Sequence, residues 1–346
     1  MLSNITVSCA PHISKTHSTR STMLDVVIAL IPAIAAAAYF FHKYALILLV
    51  TCCLSAVVTE LICNLIRGKS NPFESLGDFS AVITGIILAL SLPPAIPFWA
   101  AIIGSCFAVA IGKMVFGGLG ANIFNPAMIG RAFLTVSFGM MMTTWTVPAT
   151  IDKNMPEISV KNTVATTQAT PLAWSKQAIK TKNIEDSSKK INASIANGML
   201  KDLFFGQRGG CLGETSTLAL LLGGIYLLIR RTINLHIPLA VLSSSFIIAA
   251  IAYLINSDAY ISPLVHLTSG GMLLGAFFIA TDPVTSPLST KGRWIFGIGV
   301  GAMTMLIRIV GEYPEGVMYA VLLMNAVTPM IDRFCKLVPA GGKPNV

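Results

Sequence analysis

Ten long apolar runs constrain the fold of this chain more than any other feature of its sequence. Each run is long enough to cross, or nearly cross, a hydrocarbon core of about 30 Å. Of the 346 residues, 54% are hydrophobic and 11% are charged, whereas a soluble domain carries about 25% charged residues. The pattern predicts an all-α integral membrane protein of about ten transmembrane helices in a lipid bilayer. The runs lie near 23–41, 45–66, 79–93, 97–115, 126–145, 214–229, 235–255, 266–280, 294–310 and 315–331. The third and eighth runs are short and are interrupted by glycine or followed by proline, so we expect them to be half-spanning or broken.

Polar segments divide the chain into five parts. The apolar runs form a first half, 23–145, and a second half, 213–333, and the polar segment 146–212 separates them. Short polar segments, 1–22 and 334–346, precede and follow the two halves. The first polar segment has no cleavable signal pattern, so we expect the first apolar run to be retained as a span.

The distribution of basic residues predicts the orientation. With the N-terminus inside, only Lys43 falls in the short outer loops, and this asymmetry follows the positive-inside rule. Both termini are then cytoplasmic and 146–212 is extracytoplasmic, because long segments translocate regardless of their charge. The net charge of +9 comes largely from residues at the ends of apolar runs, so it does not indicate a nucleic-acid partner. The cytoplasmic set comprises Lys15, Arg20, Arg67, Lys69, Lys113, Arg230, Arg231, Lys291, Arg293, Arg333, Lys336 and Lys343.

The two halves share a sequence pattern. Trp99 precedes Lys113 by fourteen residues, and Trp294 precedes Arg308 by the same interval. A small-residue span that ends in proline comes before each pair (80–94 and 269–283), and an Asn/Pro element follows each pair (125–128 and 325–330). Because the first pair enters from outside and the second from inside, the pattern predicts two inverted five-helix repeats, in which binding sites lie near the midplane.

Several polar positions allow more than one interpretation. The glycine-rich segment 117–122 is either a helix break that lines a cavity or a close-packed turn, and it lacks the pattern of a nucleotide cradle. Asp282, before Pro283, is either a cap or a contact for an ion or cofactor. Charges at Asp25, Glu60, Glu214 and Arg308 are costly in or beside the membrane unless they are paired or hydrated, and the sequence does not identify the partners of those that are paired. Residues 213–217 have the pattern of a helix N-cap. Cys52, Cys53, Cys63 and Cys106 fall in apolar runs, which favours small buried residues over ligands or disulfides.

The segment 166–172 (Thr-Thr-Gln-Ala-Thr-Pro-Leu) is a threonine-rich motif in the long polar segment. Ala169 leaves one side of Thr170 open, and Pro171 keeps the residue before it extended. A hydroxyl in such a setting can be esterified by a phosphate-bearing group. The alternative is an ordinary polar loop.

Many segments together resemble one family. The chain is similar, nearly end to end, to the D subunit of the Rnf ion-translocating ferredoxin:NAD⁺ oxidoreductase and, more distantly, to the B subunit of the sodium-pumping NADH:quinone oxidoreductase. The segments that carry the resemblance are Ala10-Pro11-His12-Ile13, Ala29-Leu30-Ile31-Pro32-Ala33, Leu90-Ser91-Leu92-Pro93-Pro94, Phe116-Gly117-Gly118-Leu119-Gly120, Phe124-Asn125-Pro126-Ala127, Gly213-Glu214-Thr215-Ser216, the run 280–287 and Tyr313-Pro314-Glu315-Gly316.

The resemblance implies a flavoprotein. Members of the family carry FMN in phosphoester linkage to threonine, in a motif ending Ser/Thr-x-Ala-Thr, which assigns the attachment to Thr170 and the upstream hydroxyl to Thr167. The family usually has aspartate six residues before the flavin threonine, where this chain has Val164. The family also suggests a second, non-covalent riboflavin, for which the sequence identifies no residues. No metal ligands and no catalytic side chains are expected.

The resemblance also implies a function and partners. The chain would relay electrons within a redox-driven translocase of Na⁺ or H⁺ in the bacterial cytoplasmic (inner) membrane. Its partners would be an outer flavoprotein subunit, two small integral subunits, cytoplasmic iron–sulfur and NADH-binding subunits, and a flavin transferase for maturation. The alternatives are the B subunit of the quinone reductase, a secondary transporter, whose fold also uses inverted repeats, and a flavin-free scaffold.

Overall fold

The computed structural model describes residues 18–144, 172, 200–206, 209–256, 260–311, 313 and 315–336. Within these ranges all regular structure is helical, as the sequence predicts. Val164, Thr167 and Thr170, the residues that bear on the expected FMN attachment, lie outside the described residues, as do most of 1–22 and 334–346 and nearly all of 146–212.

The first half begins with α1 (Thr19–Ile66), which has non-helical backbone angles at His42 (φ 50°, ψ −138°). The first two apolar runs therefore form two helical segments joined at this residue. The remaining helices of this half are α2 (Ser80–Ser91), α3 (Phe98–Val109, continued by a π-helical turn at Ala110–Met114), α4 (Pro126–Ser137) and the short α5 (Gly139–Met142).

The second half begins after the short α6 (Leu200–Phe205) and a 3₁₀ turn at Leu212–Glu214. It contains α7 (Thr217–Ile229), α8 (His236–Ile255), α9 (Pro263–Thr268), α10 (Met272–Leu274, continued by a π-helical turn at Gly275–Ile279), α11 (Thr290–Ile309) and α12 (Val317–Phe334). The interruption between α9 and α10 confirms that the eighth apolar run is broken.

Short polar residues begin several of these helices, because their side chains accept hydrogen bonds from otherwise unpaired N–H groups. Ser216 accepts from the N–H of Ala219 (3.3 Å), which confirms the N-cap predicted for 213–217. Asn125 accepts from the N–H of Met128 (3.3 Å), with Pro126 at the first helical position. Ser289 accepts from the N–H of Gly292 (3.0 Å).

Among the residues that the structure describes, four helices are long and apolar enough to cross a membrane: α1, α8, α11 and α12. Helices α2, α3 with its π turn, and α7 are apolar but shorter. The surface is also that of a membrane protein, since large apolar side chains are exposed, whereas Glu60, Lys113 and Arg308 are buried. An exposed apolar surface around a buried charged interior is stable in lipid and unfavourable in water.

Helices α1 and α7 hold the two halves together. α1 packs against α2, α3 and α7, while α8 packs against α11. At Gly223 the backbones of α7 and α1 approach so closely that a Cβ atom would overlap the carbonyl oxygen of Ala29. Close backbone approach at glycine is typical of helix packing in membranes, where dispersion contacts replace the hydrophobic effect.

Candidate functional site

A central cavity lies between the two halves. It encloses about 810 Å³, including the space open to the surface, and residues from both halves line it. The first half contributes Lys113, Asn122 and Asn125, and the second contributes Asp282 and residues near it. Ligand pockets are typically lined by apolar side chains with a few placed polar groups. The apolar wall includes Ile83, Ile87, Leu227, Phe277 and Phe278.

The π-helical turn after α3 places Lys113 in the wall of this cavity. Its Nζ donates to both carboxylate oxygens of Glu60 (2.9 and 2.8 Å) and to the Oγ of Ser80 (2.5 Å). Both charged side chains are almost fully buried, with 2% and 1% exposure. The Ser80 hydroxyl in turn donates to Asp78. Lys113 is therefore the partner of Glu60.

The two ambiguous polar segments of the sequence both reach the cavity. Asp282 accepts from the N–H of Val284 (3.2 Å) and the hydroxyl of Thr285 (3.2 Å), which is the capping role. It nevertheless also lines the cavity. In the glycine-rich segment, Gly117, Gly118 and Gly120 adopt positive φ, and Leu119 with Asn122 lines the cavity. The segment is therefore a tight turn that also forms part of a cavity wall.

A second ionic contact lies at the C-terminal end of α7, where Leu227 and Thr232 line the central cavity. The carboxylate of Asp25 accepts from Tyr226 (3.3 Å), Arg230 (3.3 Å) and Thr232 (3.1 Å). These bonds join α1 of the first half to the C-terminal end of α7 in the second half. Arg230 is 53% exposed, so this contact lies partly at the surface.

A buried arginine–glutamate network lies at the opposite end of α7, about 20 Å away by helical rise. It consists of Arg131, Glu214, Glu315 and Arg308. Arg131 forms a close ion pair with Glu315 and lies 3.9 Å from Glu214. Two glutamates and two arginines balance one another in charge, as buried groups require.

The guanidinium of Arg308 donates hydrogen bonds to three backbone carbonyls. Nε donates to the carbonyl of Glu315 (2.9 Å), Nη1 to that of His266 (2.5 Å) and Nη2 to that of Ser269 (3.1 Å). The carbonyls of His266 and Ser269 are available because the helix is interrupted after α9 and does not restart until α10. Arg308 therefore stabilises the break in the eighth apolar run.

One further group of potential metal ligands belongs to this network. The Sγ of Cys211 and carboxylate oxygens of Glu214 and Glu315 lie within 4.8 Å of one another. The Arg131 guanidinium lies among them, because its Nη2 is 3.4 Å from Cys211 and also contacts Glu315. The arginine already supplies the positive charge that these acidic groups require. Cys52, Cys53, Cys63 and Cys106 are free and at least half-buried, in line with small packing residues.

Leu172, the last residue of the threonine-rich motif 166–172, lies near this network. It is buried (2% exposed) and packs with Leu203, Ile261 and Val265. At Gly270, which has φ +67°, a Cβ atom would lie 2.8 Å from Nη2 of Arg308 and 3.1 Å from Cδ1 of Leu172. Leu172 and Arg308 therefore lie within about 6 Å of each other.

The sequence singled out Asp25, Glu60, Glu214 and Arg308 but missed Arg131, which is buried in the fifth apolar run. A lone arginine in an apolar run is an intramembrane charge, and this signal was sufficient to identify it.

Comparison with known proteins identifies the family. Residues 6–341 match the NQR2, RnfD, RnfE family. The chain is 45% identical over 336 residues to the D subunit of the Na⁺-translocating ferredoxin:NAD⁺ oxidoreductase complex of Acetobacterium woodii, covering 96% of this chain and 94% of that protein. It is 44% identical to the D subunit of the ion-translocating oxidoreductase complex of Stutzerimonas stutzeri (94% of each chain). It is 41% identical to the D subunit of the proton-translocating ferredoxin:NAD⁺ oxidoreductase complex of Clostridium ljungdahlii (97% and 96%). The chain therefore belongs to the NQR2, RnfD, RnfE family.

Proposed function

We propose that this chain is the D subunit of an ion-translocating ferredoxin:NAD⁺ oxidoreductase complex, a redox-driven translocase. The observation that carries the proposal is the similarity to D subunits of such complexes at 41–45% identity along nearly the whole chain. Large apolar side chains are exposed and charged side chains are buried, which supports a multi-pass membrane protein.

The proposed role is electron relay through FMN joined to Thr170 by a phosphoester. A flavin exchanges one or two electrons, and the protein supplies position and electrostatics. The motif Thr167-Gln168-Ala169-Thr170 supports the attachment.

We assign the second, non-covalent flavin, riboflavin, to the central cavity. The residues present fit such a group. Phe277 and Phe278 offer apolar faces for a planar ring, and Asn122, Asn125 and Thr281 offer amide and hydroxyl groups for its polar edge and ribityl chain.

We further infer ten spans arranged as two inverted five-helix repeats. The contacts of the two repeat-related basic residues support this arrangement: Lys113 donates to the side chain of Ser80, and Arg308 donates to the backbone of Ser269. Each basic residue thus contacts the first residue of the small-residue span in its own half. The Asn/Pro elements also contact each other. In the amide orientation that pairs both its oxygen and its nitrogen, the Asn325 side-chain oxygen accepts from the N–H of Asn125 (3.1 Å).

The proposed location is the bacterial cytoplasmic membrane, with both termini inside and 146–212 outside. The basic residues support this orientation. The central cavity then faces the cytoplasm, and the arginine–glutamate network lies toward the outside. The proposed neighbours are an outer flavoprotein, two small integral subunits, and cytoplasmic iron–sulfur and NADH-binding subunits.

The test compares Thr170→Val with Thr166→Val in the complete complex. Both changes remove a hydroxyl and preserve shape, but only the first removes the proposed attachment. We expect Thr170→Val to stop ferredoxin-driven NAD⁺ reduction while all subunits remain in the membrane, and Thr166→Val to keep the wild-type rate. A wild-type rate for Thr170→Val would favour a flavin-free scaffold. Loss of all subunits with Thr170→Val alone would indicate a structural residue.

A further inference from the structure

The turn between α7 and α8 (230–235) forms part of the wall of the central cavity. Thr232 and Ile233 of this turn line the cavity, and so do Met23 and Val26, which lie on either side of Asp25 in α1. Met23, Val26 and Thr232 are partly exposed, whereas Ile233 is 8% exposed and packs in the hydrophobic core. The gap between α1 and this turn is therefore an edge at which the cavity meets the surface.

One carboxylate holds this turn against α1. Asp25 accepts from Thr232 within the turn (3.1 Å) and from Arg230 at its start (3.3 Å). It also accepts from Tyr226, in the last helical turn of α7 (3.3 Å). The carboxylate belongs to the first half and all three donors belong to the second. Loss of the Asp25 contact therefore removes three hydrogen bonds between the halves at once.

Two features make this turn easier to displace than the helices beside it. Arg231 has a φ of 57°, in the left-handed region, which is unfavourable for a residue that has a Cβ atom. Arg230 is 53% exposed, so water competes for its guanidinium and its ion pair with Asp25 is weak. The closed position of the turn therefore depends on a strained residue and a solvated contact.

The opposite end of α7 is joined to the first half more firmly. The N–H of Leu212 donates to the carbonyl of Leu92 across the two halves (3.1 Å). The close ion pair of Arg131 and Glu315 lies at this end too, and both side chains are largely buried. Buried pairs are screened much less than exposed ones, so the interface between the halves opens more readily at the Asp25 end.

We propose that the α7–α8 turn is a gate over the central cavity and that the Asp25 carboxylate holds it closed. When Asp25 releases Arg230 and Thr232, the turn moves away from α1, Ile233 leaves the core, and the cavity opens. The contacts at the other end of α7 stay in place and act as the hinge. The inference rests on the proposed orientation for the side of the opening, which is the cytoplasm, and it holds for any ligand of the cavity.

The first test measures how fast a thiol in the cavity wall is modified. Ile83→Cys and Ile87→Cys each place a cysteine on a lining position that is at most 9% exposed. The assembled complex, in inverted membrane vesicles, is treated with the membrane-impermeant reagent 2-sulfonatoethyl methanethiosulfonate, and peptide mass spectrometry reports modification at each position. We expect Asp25→Asn to raise the rate about tenfold, which corresponds to about 1.4 kcal/mol in the opening equilibrium. Thr232→Val removes one of the three bonds and should raise the rate less.

Hydrogen exchange gives a second readout, which does not require a reagent to enter the cavity. The N–H groups of Arg231 and Thr232 donate to the carbonyls of Leu228 and Leu227 (3.0 Å each), and their exchange requires the turn to open. Asp25→Asn should speed this exchange by about the same factor as the labelling. The control is Asp332→Asn: its carboxylate accepts from a backbone N–H on the second half (3.2 Å) but does not line the cavity, so both rates should stay at the wild-type values.

The outcomes separate the gate from the orientation. Unchanged exchange in Asp25→Asn would show that this carboxylate does not hold the turn. Faster exchange with wild-type labelling at both reporters would show that the turn moves without opening the cavity. Either result, or an equal effect of Asp332→Asn, overturns the inference. Faster labelling in right-side-out vesicles alone would support the gate and contradict the proposed orientation.

Discussion

Removing one partner of the Lys113–Glu60 pair should destabilise the protein strongly. Both carboxylate oxygens of Glu60 accept from Nζ within 2.9 Å, and neither side chain is more than 2% exposed. Lys113→Met leaves an uncompensated carboxylate, and Glu60→Gln leaves an uncompensated ammonium. The loss of one partner from a buried pair costs about 3–5 kcal/mol, so we expect each single variant to lose stability of that order.

The double variant Glu60→Gln/Lys113→Met should be far less destabilised than either single variant. Replacing both members of a buried pair with uncharged groups of similar volume is often neutral or even stabilising. The double-mutant cycle should therefore give a coupling energy of about 3 kcal/mol or more. The measurement is the free energy of unfolding of the purified protein in mixed micelles, for the wild type and all three variants.

The Asp25–Arg230 pair provides the matched control. Arg230 is 53% exposed and its Nε lies 3.3 Å from Asp25. Exposed pairs contribute about 0–1 kcal/mol, so the cycle of Asp25→Asn and Arg230→Gln should give a coupling energy in that range. Equal coupling energies for the two cycles, or single variants at Lys113 and Glu60 with wild-type stability, would refute the reasoning.

Two further predictions concern helix packing and capping. Gly223→Ala should lower the free energy of unfolding by about 1–3 kcal/mol, because overpacking costs energy of that order and the added Cβ would overlap the carbonyl oxygen of Ala29. The control Gly139→Ala should not, because a Cβ there meets nothing within 4 Å; equal effects of the two changes would contradict this. Ser216→Ala should lower the free energy of unfolding by about 1 kcal/mol, because the Ser216 side chain caps α7 through the N–H of Ala219. The same unfolding measurement in mixed micelles tests this, and an unchanged free energy of unfolding would show that the cap contributes nothing.

Local features of the fold could be predicted from the sequence because they depend on neighbouring residues. The boundary between the first two apolar runs corresponds to the non-helical His42. The glycines of the eighth run marked its break, and Ser216 marked the start of α7. Each of these follows from backbone preferences over a few residues.

The partners of the buried charges could not be predicted, because they come from distant parts of the chain. Glu60 meets Lys113 fifty-three residues later, and Arg131 meets Glu315 after 184 residues. Hydropathy shows only that such charges need partners, and the tertiary packing decides which ones they find. The π-helical turns at Ala110–Met114 and Gly275–Ile279 also had no local signal, although the first places Lys113 in the cavity wall.

Val164 bears on the proposed FMN attachment to Thr170. It stands where the family usually has aspartate, six residues before Thr170. The charge of that aspartate is absent here, whereas the rest of the motif is present. The family assignment extends over residues 6–341 and does not depend on this position.

Mass spectrometry of the loop peptide from the native membrane complex tests the central proposal most directly. The peptide that contains Thr170 should carry the added mass of FMN in phosphoester linkage, and fragmentation should assign it to Thr170 and to neither Thr166 nor Thr167. The denatured, washed protein should also remain fluorescent under ultraviolet light. An unmodified peptide from the co-expressed complex with an active flavin transferase would contradict the account.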